Sequence, residues 1–130
     1  MNAYDPETSP DPSEWLALDE QDRIDLAEAF HKNAGAVLPD LHAHAAFHCA
    51  VETQLAERYQ PAWDALNRLK REGFSRHDCI HAISSVLAAH LFEIMQPDYL
   101  EDVDASNARY ARELDQLTVK RWKKRHRASR

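Results

Sequence analysis

Regularly spaced histidines are the residues of this sequence best suited to chemistry. His44, His48 and Glu52 follow one another at intervals of four residues within the segment HAHAAFHCAVETQ. On an α-helix this spacing places the three side chains on one face, which also carries the apolar residue Leu55. His42 points to a different side of the same helix. The segment therefore predicts a stripe of titratable groups on a face that should be buried.

A second helix carries a matching pair of histidines. His77 and His81 are also four residues apart, and they lie on the shoulder of the apolar face of their helix. His90 falls on the opposite shoulder and is not expected to join them. His31, on the core-facing side of an earlier helix, offers a further nitrogen. Two helices are thus predicted to present imidazole rings to the same interior.

This pattern is typical of a transition-metal site. Imidazole nitrogen and carboxylate oxygen are ligands of zinc and iron, and two rings one helical turn apart can share an ion. The predicted ligands are His31, His44, His48, Glu52, His77 and His81. The stripe from His44 to Glu52 rises roughly 12 Å along the helix, so its three groups are not all expected to bind one ion. Either the residue at one end of the stripe contacts a ligand without binding the ion itself, or the site holds two ions.

The activity stays open at this point. An iron site would indicate redox or oxygen chemistry, and a zinc site with an open position would indicate hydrolysis. In the hydrolytic case Glu52 could be the general base instead of a ligand. In the alternative interpretation there is no metal: the histidines form a buried hydrogen-bonded network, and the protein is an interaction module.

An all-α bundle is the architecture predicted to position these residues. The chain of 130 residues has only two glycines and is rich in helix-forming residues. Apolar periodicity and capping residues predict four to five helices, and short loops between them favour a compact bundle. The first predicted helix has Asp19 as its N-cap and ends just before Gly35. The others run over about 40–58, over roughly 61–72, from the capping box at Ser75 to Met95, and from about 104.

Charge and composition divide the chain into three parts. Residues 1–13 hold three of the six prolines and predict a flexible leader, residues 14–117 predict a single helical domain, and residues 118–130 predict a basic C-terminal tail. Residues 1–119 carry nine basic and 22 acidic side chains, a net charge of −13, whereas seven basic residues follow. The tail could contact nucleic acid or an acidic partner, or fold back on its own acidic domain.

The sequence also predicts a cytoplasmic protein without a membrane partner. It has no apolar stretch long enough for a membrane span, and its first residues lack the basic start and apolar run of an export signal. Cys49 and Cys79 are separated by thirty positions and are expected to be reduced thiols. Both are expected to point away from the histidines, so a cysteine nucleophile is not predicted.

Three segments of the chain resemble a family of small bacterial proteins, the domain-of-unknown-function family 1841. The resemblance covers about residues 14–95. It rests on Leu18-Asp19-Glu20, on His44, His48, Glu52 and Gln54, on Arg68-Leu69 and Gly73, and on Arg76, His77, His81, Ala82 and Ile83. The residues that carry the resemblance include the histidines and the glutamate that helical spacing places on the buried faces. The resemblance implies no activity. A ligand set dominated by histidine is also similar to that of hemerythrin-like bundles, which hold two irons.

Overall fold

The computed structural model describes residues 1–35 and 40–128, with side chains described as far as residue 125. Within these ranges the chain forms seven helices and no strand, so the predicted all-α class is confirmed while the helix count exceeds the predicted four to five. The helices are α1 (Pro12–Ala17), α2 (Glu20–Asn33), α3 (Leu41–Ala56), α4 (Gln60–Arg71), α5 (Arg76–Ile94), α6 (Val103–Asp115) and α7 (Val119–Ala128).

Local sequence signals explain where most of these helices begin. Five of the seven described helices start after a side chain that accepts a hydrogen bond from a backbone N–H in the first turn. These capping residues are Asp11, Asp19, Asp40, Ser75 and Asp102. Gly73 follows α4 with a φ of 109°, a conformation that favours glycine and lets the chain turn directly into α5. The caps thus fix where α2, α3 and α5, the histidine-bearing helices, begin along the chain.

Helix α3 lies at the centre of the fold. It packs against α1 and α2 on one side and against α4 and α5 on the other, while α6 covers α4 and α5. The larger apolar core lies among α3, α4, α5 and α6 and includes Leu69, Ile80 and Ile83, which are fully buried. A smaller core around Trp15 joins α1 and α2 to α3. The histidine faces of α2, α3 and α5 meet between these two cores.

The N-terminal residues, predicted to be a flexible leader, contact the helical domain in the structure. Tyr4 is only 4% exposed, and Pro6 is fully buried. The carbonyl oxygen of Pro6 accepts a hydrogen bond from the Arg76 guanidinium, and the Glu7 carboxylate accepts one from the backbone N–H of His77. Residues 4–7 therefore form a strap across the start of α5. The composition of this segment, which has few apolar residues, does not predict these contacts.

The basic segment forms α7 over most of its described length. Val119 and Trp122 pack against the larger core, and Arg68 donates to the carbonyl oxygens of Leu114 and Leu117 just before α7 begins. Contact of this segment with nucleic acid or an acidic partner stays a prediction. Among the described residues no helix has the length and apolar character needed to cross a bilayer.

Replacement of Leu69 by alanine should destabilise the protein by about 2–5 kcal/mol, because Leu69 is fully buried and its removal leaves a cavity in the larger core. Urea unfolding of the two proteins measures the difference. Leu100 is 94% exposed, so Leu100→Ala is the matched control and should change the unfolding free energy by less than about 0.5 kcal/mol. Equal losses for the two variants would contradict the described core.

Candidate metal centre

Three helices bring five histidines together. Helix α2 contributes His31, α3 contributes His44 and His48, and α5 contributes His77 and His81; these five residues are called the histidine cluster below. Neighbouring rings are in contact. Their centroids are 4.5 Å apart for His31 and His44, 4.9 Å for His44 and His81, and 4.2 Å for His77 and His81. The cluster thus contains all five histidines that the sequence predicts as ligands.

Four members of the cluster could hold one metal ion. Each of His31, His44, His48 and His81 offers a nitrogen, and these nitrogens all lie within 4.8 Å of one another. The Nε2 atoms of His44 and His81 are 3.2 Å apart. Two nitrogens bound to a tetrahedral zinc at its usual bond length are about 3.3 Å apart, so this pair already has the spacing that an ion requires.

Hydrogen bonds on the outer side of the cluster orient two of the rings. The Nδ1 of His31 is 2.7 Å from the carbonyl oxygen of Ala27. A carbonyl only accepts, so Nδ1 carries the proton and the lone pair of His31 resides on Nε2. That Nε2 is buried and has no hydrogen-bond partner in the described part of the chain. Helix α2 therefore presents a ligand nitrogen in the tautomer that a metal needs.

His48 is oriented in the same way by a tyrosine. The Tyr4 hydroxyl donates to the Oε2 of Glu52 at 2.5 Å, and the phenolic oxygen of Tyr4 lies 3.2 Å from the Nδ1 of His48. Because the single phenolic proton points to the carboxylate, the phenolic oxygen accepts from Nδ1–H of His48. The Nε2 of His48 is left with its lone pair, and it too is buried without a described partner.

Glu52 was predicted as a ligand or general base, but the structure does not bring it into the group of four nitrogens. Its carboxylate is 2% exposed and binds the Arg76 guanidinium through two hydrogen bonds of 2.7 and 2.8 Å. The third partner is the Tyr4 hydroxyl. Arg76 directly precedes His77, and its charge offsets that of the buried Glu52. The carboxylate therefore supports His48 through Tyr4 instead of adding an oxygen to the cluster.

His77 stands at the edge of the cluster. Its ring contacts those of His81 and His48, at centroid distances of 4.2 and 5.1 Å, but it lies outside the group of four nitrogens. Its Nε2 is buried, and no described group bonds to it. His77 therefore offers a fifth nitrogen beside the four.

Burial favours the uncharged form of three histidines of the cluster, His44, His48 and His81. Removal from water, together with the charges of neighbouring histidines, lowers the pKa of His48 to about 2 and that of His81 to about 4. The same causes lower the pKa of His44. Metal ions bind neutral imidazole, so these rings need not release a proton before they bind one at pH 7.

A cleft of about 330 Å³ opens the cluster to one side. Three of the four grouped histidines, His44, His48 and His81, line it, whereas His31 does not. The remaining walls are Phe47, Ser84, Ser85, Ala88 and Trp122. Trp122 lies on α7, so the predicted tail contributes to the surroundings of the site. A small molecule in this cleft would lie against these three imidazole rings.

The other histidines and the cysteines stay apart from the cluster, as their helical phases predict. His42 is exposed and pairs with Glu28 at 2.6 Å. His90 bonds to Ser106 and stacks on Tyr110. Both cysteines are free and buried, and burial raises the pKa of Cys49 to about 12 and that of Cys79 to about 11. Their thiols are therefore protonated and poorly nucleophilic at neutral pH.

Two residues that organise the site could not be assigned a role from helical spacing. Tyr4 lies in a proline-rich segment and is separated from His48 by 44 positions. Arg76 belongs to the Arg-His motif at the start of α5, and nothing in the spacing pairs it with Glu52. A signal did exist, because a glutamate on a buried helical face needs a cationic partner, and Arg76 starts the other histidine helix.

No protein-family model matches the chain, and no curated protein and no solved structure gives a significant match. The resemblance to the domain-of-unknown-function family 1841 therefore stays a prediction.

The metal-free protein should lose stability as the pH falls below about 6.5, the ordinary histidine pKa. In the unfolded chain His48 and His81 take up protons near that pH, whereas the folded chain binds them only near their lowered pKa values. Protonation therefore favours the unfolded state, and the contribution of these groups is fully present above pH 6.5. Urea unfolding at a series of pH values measures the effect. The loss of unfolding free energy at low pH should be smaller in His48→Gln than in the wild type, and it should be unchanged in His42→Gln. Equal pH dependence of stability in these two variants would contradict the prediction.

Proposed function

We propose that the protein is a metal-binding helical-bundle protein that holds one transition-metal ion through His31, His44, His48 and His81. The observation that carries the proposal is the convergence of buried imidazole nitrogens whose lone pairs no described group satisfies. Nδ1 hydrogen bonds direct the Nε2 atoms of His31 and His48 inward. A cation at their meeting point would satisfy these nitrogens together.

A metal accounts for the cluster better than a hydrogen-bonded core does. The described structure has one hydrogen bond within the cluster, between His44 and His81. It leaves the Nε2 atoms of His31, His48 and His77 buried without partners. Each buried, unsatisfied polar atom costs roughly 1–3 kcal/mol. A network selected for stability alone would not keep three such atoms side by side.

One ion is favoured over two. Sites with two ions about 3.5–4 Å apart use groups that bridge them, typically carboxylates or water. The grouped ligand atoms are all histidine nitrogens, and Glu52, the carboxylate on the same helical face, is bound to Arg76 and Tyr4. A dinuclear centre of the hemerythrin kind would have to break this buried ion pair.

Zinc is favoured over iron. A set of neutral imidazoles suits zinc, whereas mononuclear non-haem iron sites that activate oxygen add a carboxylate to two histidines. The 3.2 Å separation of the His44 and His81 nitrogens also agrees with tetrahedral coordination at zinc bond lengths. Iron remains the alternative, and metal analysis distinguishes the two.

The cleft indicates what the ion would do. Because His44, His48 and His81 line it, a water molecule or a small ligand could approach the metal from this side, as a fifth ligand or in place of one of the four imidazoles. Zinc supplies Lewis acidity and lowers the pKa of a bound water to about 7, which supports hydrolysis. The protein would contribute the orientation of the imidazoles and an aromatic wall formed by Phe47 and Trp122. Hydrolysis or binding of a small ligand at the ion is therefore proposed before redox chemistry.

Protein purified without a histidine tag should contain about one zinc per chain, measured by elemental analysis. His48→Ala and His81→Ala should abolish stoichiometric binding, since each removes a converging nitrogen. Added zinc should also stabilise the metal-free protein by about 2.7 kcal/mol at a concentration one hundred times its Kd.

The control for that experiment is His42→Ala. His42 lies on α3 with His44 and His48 but is exposed and paired with Glu28, so its removal should leave zinc content unchanged. Two results would refute the proposal: wild-type protein that binds no zinc or iron and gains no stability when either is added, or equal loss of metal in His42→Ala and His48→Ala. Stoichiometric iron in place of zinc would support the site and overturn the choice of metal.

Ala88→Phe should keep the metal and close the cleft. Ala88 lines the cleft beside His81, so a phenyl ring there would occupy the space through which a ligand reaches the ion. In cobalt-substituted protein, azide should change the visible absorption of the wild type, and the variant should need at least about tenfold more azide. Ala89→Phe adds the same ring outside this cleft and is the control. An azide response that survives in Ala88→Phe would show that the cleft is not the route.

A further inference from the structure

A chain of hydrogen bonds connects the N-terminal strap to one ligand of the candidate metal centre. It runs from Arg76 to Glu52, from Glu52 to the Tyr4 hydroxyl, and from that hydroxyl to the Nδ1 of His48. The distances in this order are 2.7, 2.5 and 3.2 Å. Tyr4, Glu52 and Arg76 do not line the cleft, so this chain reaches His48 from outside it.

Tyr4 is held in place independently of His48. Its ring contacts Trp15 and Phe30 at centroid distances of 5.7 and 6.2 Å. Two residues later the Pro6 carbonyl accepts from Arg76. The same guanidinium thus anchors both the strap and the carboxylate that receives the tyrosine proton. The position of the hydroxyl is therefore fixed by the fold and is not adjusted by the histidine.

The direction of the hydrogen bonds follows from the charges. Arg76 donates through two nitrogens to Glu52, so the carboxylate is ionised and only accepts. The Tyr4 proton must then point to Glu52, and the phenolic oxygen is left to accept from His48. An acceptor at this place favours the His48 tautomer with its proton on Nδ1. In many metal sites a carboxylate or carbonyl plays this role directly and raises the affinity for the ion.

We propose that Tyr4 is a positioning residue for the metal centre. Its hydroxyl links the buried Glu52–Arg76 pair to the Nδ1 of His48, and so sets the tautomer and the orientation in which His48 binds the ion. This inference rests on the proposed function. It gives the strap, residues 4–7, a role in metal affinity, and it couples docking of the N-terminus to the loading of the site.

Tyr4→Phe tests the proposal because it removes the hydroxyl and keeps the ring that packs on Trp15 and Phe30. Glu52 keeps both hydrogen bonds to Arg76, so the buried ion pair remains intact. We expect zinc to bind about 10–100 times more weakly, the usual loss when an outer partner of a metal-binding histidine is removed. Competition with a zinc chelator of known affinity measures this change.

Tyr110→Phe is the matched control. Tyr110 is also buried, stacks on an aromatic ring and donates its hydroxyl to the side chain of Gln54, which belongs neither to the cluster nor to the hydrogen-bond chain behind it. It should lose a comparable hydrogen bond without a change in zinc affinity. Equal weakening in Tyr4→Phe and Tyr110→Phe would assign the effect to general stability and would overturn the proposal.

The tautomer of His48 provides a second measurement that needs no metal. In metal-free protein labelled with ¹⁵N, two-bond correlations distinguish a ring protonated on Nδ1 from one protonated on Nε2. The wild type should show His48 protonated on Nδ1, and Tyr4→Phe should shift a measurable fraction to the other tautomer. An unchanged tautomer and unchanged zinc affinity in Tyr4→Phe would refute the role of Tyr4. If the wild type binds no metal, the proposed function fails, and a tautomer shift in Tyr4→Phe would still establish the link between Tyr4 and His48.

Discussion

Five imidazole rings packed between α2, α3 and α5 place more nitrogen lone pairs in the interior than the described protein groups satisfy. Burial of a neutral imidazole costs free energy unless its donor and its acceptor are both used. In this cluster the outer nitrogens of His31 and His48 are used, and their inner nitrogens are not. The arrangement of the three helices, the lowered pKa values and the open cleft acquire a common explanation if those inner nitrogens bind a cation.

The Glu52–Arg76 ion pair ties this site to the rest of the fold. It joins α3 to the start of α5 and holds the strap through Pro6. Breaking a buried pair by removal of one partner costs roughly 3–5 kcal/mol, because the other charge is left without compensation. The pair is therefore a strong constraint on how the two His-x3-His helices approach each other. It also occupies the carboxylate that could otherwise have bridged two metal ions, so the same contact limits the site to histidine ligands.

The helical phase of the histidines predicts which helix faces meet at the cluster, but it does not predict which groups Glu52 contacts. The four-residue spacing of His44 and His48, and of His77 and His81, identified the faces that meet, and the described bounds of α3 and α4 lie within two residues of those predicted. Phase states which face a residue occupies, but not which group it meets there. Glu52 is in phase with the histidines and one turn further along, where it meets Arg76 and Tyr4. The strap and Trp122 of α7 reach the site through tertiary packing from segments whose composition indicated a leader and a tail.

Diffraction from crystals grown with zinc, measured above and below the zinc absorption edge, shows whether the histidine cluster binds an ion. We expect one anomalous peak per chain inside the cluster, about 2.0–2.1 Å from nitrogens of His31, His44, His48 and His81. Electron density should also show the Tyr4 hydroxyl between Glu52 and His48. Crystals in which no peak lies among these rings, and in which the imidazole nitrogens bond to one another or to water, would refute the proposed metal site.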